Sequence, residues 1–436
     1  MAAGARGDAL PFCVGSASTD MTAWLRALGP GIIMAATAIG SSHIILSPVA
    51  GARFGYDLIW LVLFSHFFKY PAFEFGPRFA IANGVSLIEG FERVPGPRKW
   101  AVWVFLATTV LQGLTILAGT LSVTAAVLVG FVGGFSPSAW VVLLGIGIVV
   151  LHATGKYPAL AFGSKLAMLV LALVSLIALA AVPPRVSDLA RVFVPSVPAG
   201  SLVLSASILG LMPTGINVAI WHSLWAVEHL GKWRRVTTDK KQILALGLLD
   251  LRVGYLLSAV LAVVFISLGA NLLKPRGLVP DGVDVAITLS RLYTEVLGEW
   301  MFPVFMLAAF AAMFSTAYSV MDGFPRTFAR LLDTLFPRAG ILKRTSRPAY
   351  WGFMGFIFVF AVGANRILPN PVVMIQLVGV VSLLVAPVLY GLNYYCVTRL
   401  IDDESMRPSR ALRVWALAGL VFMTFAVIFS IYVRFR

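Results

Sequence analysis

The chain has 436 residues, of which 59% are hydrophobic and only 12% charged, against roughly 25% charged in an ordinary soluble domain. With a mean hydropathy of +0.90, its apolar surface is too large for one aqueous core, so a water-soluble globular protein is excluded and lipid is the solvent for most of the chain. The 34 Lys and Arg outnumber the 19 Asp and Glu to leave +15, an excess that in a membrane protein marks cytoplasmic loops, and no basic run interleaved with aromatics points to nucleic acid. Two cysteines, Cys13 and Cys396, exclude a disulfide framework or a Cys-rich metal site.

A helix crossing a bilayer needs about 20 mostly apolar residues. In chain order, such runs predict eleven spans, at 27–51, 56–82, 99–131, 138–154, 157–183, 199–229, 243–273, 296–322, 348–368, 371–399 and 411–433. The expected fold class is an all-α polytopic membrane protein. Residues 1–26 read as a short tail without the pattern of a signal peptide. With that tail inside, the inner segments hold about 21 Lys plus Arg and the outer ones about nine, which predicts a cell-membrane protein with a cytoplasmic N-terminus.

Two spans are interrupted by residues that break helices. The first reads Gly29-Pro30-Gly31, an apolar stretch, then Gly40-Ser41-Ser42-His43. The sixth places Met212-Pro213-Thr214-Gly215 at a similar depth. Broken backbone is tolerated in a membrane chiefly where it lines a cavity walled by protein. Spans one and six stand five helices apart, the spacing of equivalent positions in two five-helix repeats, and paired broken helices at matched positions point to a transporter's substrate site. The expected organisation is a first repeat at 27–183, a second at 199–399, and an eleventh helix with the C-terminus at 411–436.

Among individual residues, His43 can bind a metal or carry a proton. Ser41 and Ser42 can cap the half-helix that follows the break and turn N–H groups toward a cavity. Thr214 and Asn217 offer neutral oxygens from the opposite side, although such residues also merely bridge helices. The second span holds His66, Lys69, Glu74 and Arg78; Glu74 and Arg78 share a helix face, and the group reads as a structural ion pair or a gate rather than as substrate ligands. Lys165, Asp250, Arg252, Glu299 and Asp322 fall near predicted span ends and read as side chains that snorkel to the interface. No phosphate loop, His-Glu-x-x-His or nucleophile elbow occurs, so neither an enzyme nor a cofactor is expected.

At these positions the sequence resembles the NRAMP family of divalent-metal transporters. From Gly29-Pro30-Gly31 to Gly51-Ala52-Arg53-Phe54-Gly55-Tyr56 the spacing is that of the family's first helix, and Trp60 follows as expected. Trp221-His222-Ser223 is similar to the His-Ser that closes the family's sixth-helix motif, Ser315 to Phe324 to its eighth-helix motif, and Gln376 occupies the place of a helix-ten Gln. The resemblance implies a LeuT-type fold of inverted five-helix repeats with a peripheral eleventh helix, alternating access, and a central site between helices one and six. It implies that His222 is gating or proton-linked. Counting back from His222 puts Met212 and Gly215 at the family's carbonyl and sulfur positions; aligned on Met-Pro instead, Met212 is the sulfur ligand after a three-residue insertion.

Where the family carries Asp-Pro-Gly-Asn, this chain has Gly40-Ser41-Ser42-His43, and its third span holds no Asp, Glu or His after its start. Against neutral ligands a bare dication is costly to dehydrate. The sequence therefore predicts a secondary transporter of a divalent ion with altered selectivity or coupling. Its site residues are Gly40, Ser41, Ser42, His43, Met212, Thr214, Gly215, Asn217 and Gln376, with His43 and Met212 as metal ligands and His222, Lys69, Glu74 and Arg78 as gating or proton-linked groups. The alternative is a carrier of a small organic solute or anion on the same fold. Partners are the cargo and the lipid bilayer; a monomer suffices, and the oligomeric state stays open.

Overall fold

The computed structural model describes residues 29–31, 34, 38–155, 157–336 and 342–435. The predicted tail at 1–26, with Cys13, lies outside the described residues, as does the side chain of Lys165. The described residues form helices and no strand. In the first predicted span the chain bends at Ile39 and Gly40, passes through a π-turn at Ser42–Leu46 and continues as α1 (Ser47–Phe54), which Gly55 ends at φ 64°. There follow α2 (Ile59–Asn83), α3 (Trp100–Phe131), α4 (Pro137–Thr154) and α5 (Tyr157–Ala181). The sixth predicted span is two helices, α6 (Leu202–Leu211) and α7 (Asn217–Val236), joined through Met212, Pro213, Thr214 and Gly215. The rest are α8 (Lys240–Leu268), α9 (Met301–Leu335), α10 (Leu342–Ile367), α11 (Pro371–Arg399) and α12 (Arg410–Phe435).

Helices thus fall in each predicted range, and seven of the described ones, α3, α4 and α8 to α12, are individually long and apolar enough to cross a membrane. Of the others, 166–181 of α5 reaches that measure only together with the bent segment 186–193, and three more miss it for physical reasons. α2 is long enough but is diluted by His66, Lys69, Glu74 and Arg78, while α1 and α6 are the short halves of broken spans. Several predicted ends are corrected: α7 runs on to Val236 past 229 and α10 starts at Leu342 before 348. α9 continues to Leu335 although the apolar run stops at 322, because its last turns project charged side chains: Arg326 pairs with Asp322 at 2.7 Å and Arg330 with Glu89 at 2.5 Å.

The core is built where α3 packs on α9 and α11, α6 on α11, and α2 on α7 and α8. In the most apolar stretches of α3, α8, α9 and α11, 61 to 67% of residues are buried, against 22 to 28% in α4, α10 and α12. The last three are therefore lipid-facing, and the final span is peripheral. α6 and α11 touch backbone to backbone: a Cβ on Gly379 would stand 2.4 Å from the Cα of Ser207, and one on Gly210 would stand 1.9 Å from the Gly379 carbonyl oxygen. Small residues permit this approach. The Ser207 hydroxyl fastens it by donating to the Gln376 carbonyl at 2.6 Å.

Candidate functional site

The two breaks face one cavity. Gly40, Ser41 and Ser42 line it from the first span, Thr214 and Asn217 from the sixth, and Thr120 of α3 and Thr316 of α9 complete its polar wall. Its free volume is about 40 Å³, where one water needs about 10–15 Å³ on the same measure. That is room for a small ion with part of its water, not for a bulky solute. Gly40 is needed here for closeness, since a Cβ on it would lie 2.7 Å from the Thr316 hydroxyl oxygen.

Three hydroxyls of this wall are polarised in one sense. Thr120 donates to the Ile116 carbonyl at 2.7 Å and Thr316 to the Ala312 carbonyl at 3.0 Å. Ser42 lies 3.2 Å from the Ala38 carbonyl and 2.9 Å from His43 Nδ1, both able to take its hydrogen. With these three hydrogens committed to the protein, their oxygens are left to offer lone pairs to the cavity. Two buried amides stand close by, Asn217 in the wall itself and Gln112 outside it. Neither the oxygen nor the nitrogen of Asn217 or of Gln112 on α3 has a protein partner, and both lie beside Gly215, whose added Cβ would meet Asn217 Oδ1 at 2.4 Å and Gln112 Nε2 at 3.8 Å.

His43 takes a different place. Its ring is fully buried, is not part of the cavity wall, and turns toward α8. His66 Nδ1 faces the Val62 carbonyl at 2.8 Å and so carries hydrogen, which leaves Nε2 to accept from the Ser258 hydroxyl at 3.1 Å. The Ser258 oxygen in turn accepts from His43 Nε2 at 2.8 Å, with the Ser258 carbonyl at 3.1 Å, and His43 Nδ1 accepts from Ser42. Both ring nitrogens are occupied, so this arrangement leaves His43 no lone pair for a metal.

Met212 is also buried outside the cavity wall, its sulfur 4.0 Å from the Ser47 hydroxyl. Gln376 is not part of the wall either; its neighbours Ile375 and Val378 are. His222 is buried on α7 with neither ring nitrogen partnered. Buried Glu74 pairs with the partly buried Arg78 at 2.6 Å, and Arg78 also donates to the Met406 carbonyl, which ties α2 to the segment before α12. No group of three or more His, Cys, Asp or Glu suited to a metal occurs among the described residues.

The broken ends are held by side chains from neighbouring helices. Lys69 donates to the carbonyls of Gly210 and Met212, both at 2.9 Å, and of Thr214 at 3.3 Å; Ser65, one turn earlier, donates to Met212 at 2.5 Å. Asp250 does not snorkel. It is buried on α8 and accepts from the backbone N–H of Gly29 at 3.2 Å and of Gly31 at 2.7 Å, capping the start of the first span. On the far side of Trp221, a vestibule of about 250 Å³ is lined by Ser319, Asp322 and Arg326, and Trp221 belongs to the walls of both spaces.

Sequence reasoning missed Gln112, Thr120, Thr316 and Ser258. A polar amide within an otherwise apolar third span was the available signal for Gln112; single hydroxyls in apolar helices carry none.

An uncharacterized protein of Pasteurella multocida is 31% identical over 334 residues, covering 74% of this chain and 73% of that protein. The divalent metal cation transporter MntH of Bacillus subtilis is 23% identical over 403 residues, 85% of this chain and 91% of its own length. A mutant of the manganese transporter of Eremococcus coleocola, solved by crystallography, shares the fold with a TM-score of 0.70 at 14% identity, covering 96% of this chain and 88% of that one. Residues 31–433 match the family model described as natural resistance-associated macrophage protein-like, and the chain belongs to this Nramp family.

Proposed function

We propose that the chain is a secondary transporter of the cell membrane that carries a divalent metal ion through the cavity between the broken first and sixth spans. The observation that carries this reading is the polarity of the wall: Ser42, Thr120 and Thr316 commit their hydroxyl hydrogens to protein acceptors, so lone pairs face the space. Lone pairs from three helices suit a cation, and the unpartnered N–H groups of Asn217 and Trp221 in the same wall can donate to water that it keeps. Membership of the Nramp family and the likeness to MntH over most of both chains support the metal.

In this reading Ser42, Thr120, Thr316 and the amide oxygen of Asn217 hold the ion, with Ser41 and Thr214 beside them. The ligands are neutral oxygens, with neither a carboxylate nor the Met212 sulfur on the wall. Such a set favours a hard ion that keeps part of its water, magnesium or manganese, over a soft one such as cadmium. One helix bundle rocks against the other about this site, and the N-terminus stays cytoplasmic.

The test is thermal unfolding of the purified protein in nanodiscs against magnesium, manganese and cadmium, because a ligand of the native state raises its stability with concentration over affinity. Magnesium or manganese should raise the midpoint saturably and more than cadmium does, and Thr316→Val should remove the rise. If no ion moves the midpoint, the metal reading fails. The second reading, a small organic solute, is favoured by the missing carboxylate and opposed by the small free volume; stabilisation by an organic ligand alone would select it.

A further inference from the structure

Lys69 is the buried charge that cargo binding leaves unused. Its Nζ is surrounded by the carbonyl oxygens of Gly210, Met212 and Thr214 at 2.9, 2.9 and 3.3 Å. Three acceptors around one nitrogen match the three N–H bonds of an ammonium. Compensation comes from the backbone. α6 ends at Leu211, its carbonyl end carries about half a negative charge, and the unwound residues after it turn two more carbonyls toward the same point. The Ser65 oxygen, bonded to Met212, stands at the edge of this cluster.

Unwound carbonyls at the C-terminal end of a half-helix are the ligand set with which carriers of broken helices hold a coupling cation. We propose that this point is a monovalent-cation site closed by the chain's own ammonium. Lys69 stands where a soluble sodium or potassium ion would otherwise bind, and it keeps the two halves of the sixth span in register without one. Of the three residues whose carbonyls hold Lys69, Gly210 and Met212 lie outside the cavity wall and Thr214 reaches it.

The experiment compares thermal midpoints in nanodiscs in sodium, potassium, methylammonium and N-methylglucamine chloride. Wild type should be indifferent to the choice. Lys69→Ala should fall by roughly 5 °C or more in N-methylglucamine and regain at least half of that loss, saturably, in one of the three small cations. Lys69→Met fills the space with an uncharged stem; it should fall and regain nothing. If Lys69→Ala does not fold, Lys69→Ser enters the same titration with the same expectation. A small variant that no cation rescues, or a wild type whose stability or uptake requires sodium, overturns the proposal.

Discussion

A buried side-chain amide without a partner costs about 1–3 kcal/mol of stability, and Gln112 and Asn217 both stand in that condition beside the cavity. The cost is offset only when water or cargo reaches them. Asn217→Leu, at the amide that lines the cavity, should therefore leave the thermal midpoint unchanged or raised while uptake falls roughly tenfold or more; a drop in stability with uptake intact would mean that the amide is merely a packing group. The same scale shows why the site was only partly readable. His43 stands out as a titratable residue at a break, yet residue type does not reveal the direction of a ring, and this one points to Ser258. Ser42 was readable because it follows a break. Thr120 and Thr316 act through bonds to their own helices, which no neighbouring residue in the sequence announces.

At the scale of helices, both breaks were readable from Gly40-Ser41-Ser42 and from Met212-Pro213-Thr214-Gly215, because glycine and proline interrupt a helix wherever they fall. What satisfies the broken ends was not. The groups that do so come from α2 and α8, more than 140 residues from the carbonyls of α6 and more than 210 from the N–H groups of Gly29 and Gly31. The crossing of α6 over α11 belongs to this scale too. Gly379→Val would drive a branched side chain into the Ser207 backbone, and a loss of at least about 3 kcal/mol, or failure to fold, is expected. An unchanged unfolding midpoint would show that the two helices can separate freely.

For the whole molecule, the apolar runs gave the positions of the helices and the place of the last one at the rim, because lipid imposes a length and a polarity on each crossing. They did not show how the spaces inside connect. Trp221 separates the cavity from the vestibule that holds Asp322, with its ring edge-on to Phe324 and close over Gly323. Trp221→Ala should join the two spaces. In preloaded liposomes, magnesium or manganese should then escape several-fold faster than through the wild type, while equal rates would place the barrier elsewhere.

The hydroxyl of Ser258 has a mechanical consequence. It sits between His43 of the first span and His66 of α2, while Tyr255, three residues earlier on α8, donates to the His66 carbonyl at 2.7 Å. Hydrogen bonds of this kind tolerate a range of roughly half an ångström before they fail. One oxygen therefore acts as a rivet through three helices. They can turn together as a stiff lever, but sliding of any one past the others by a helical step would first shear the rivet, so strokes of that size fall to the faces joined only by apolar contact.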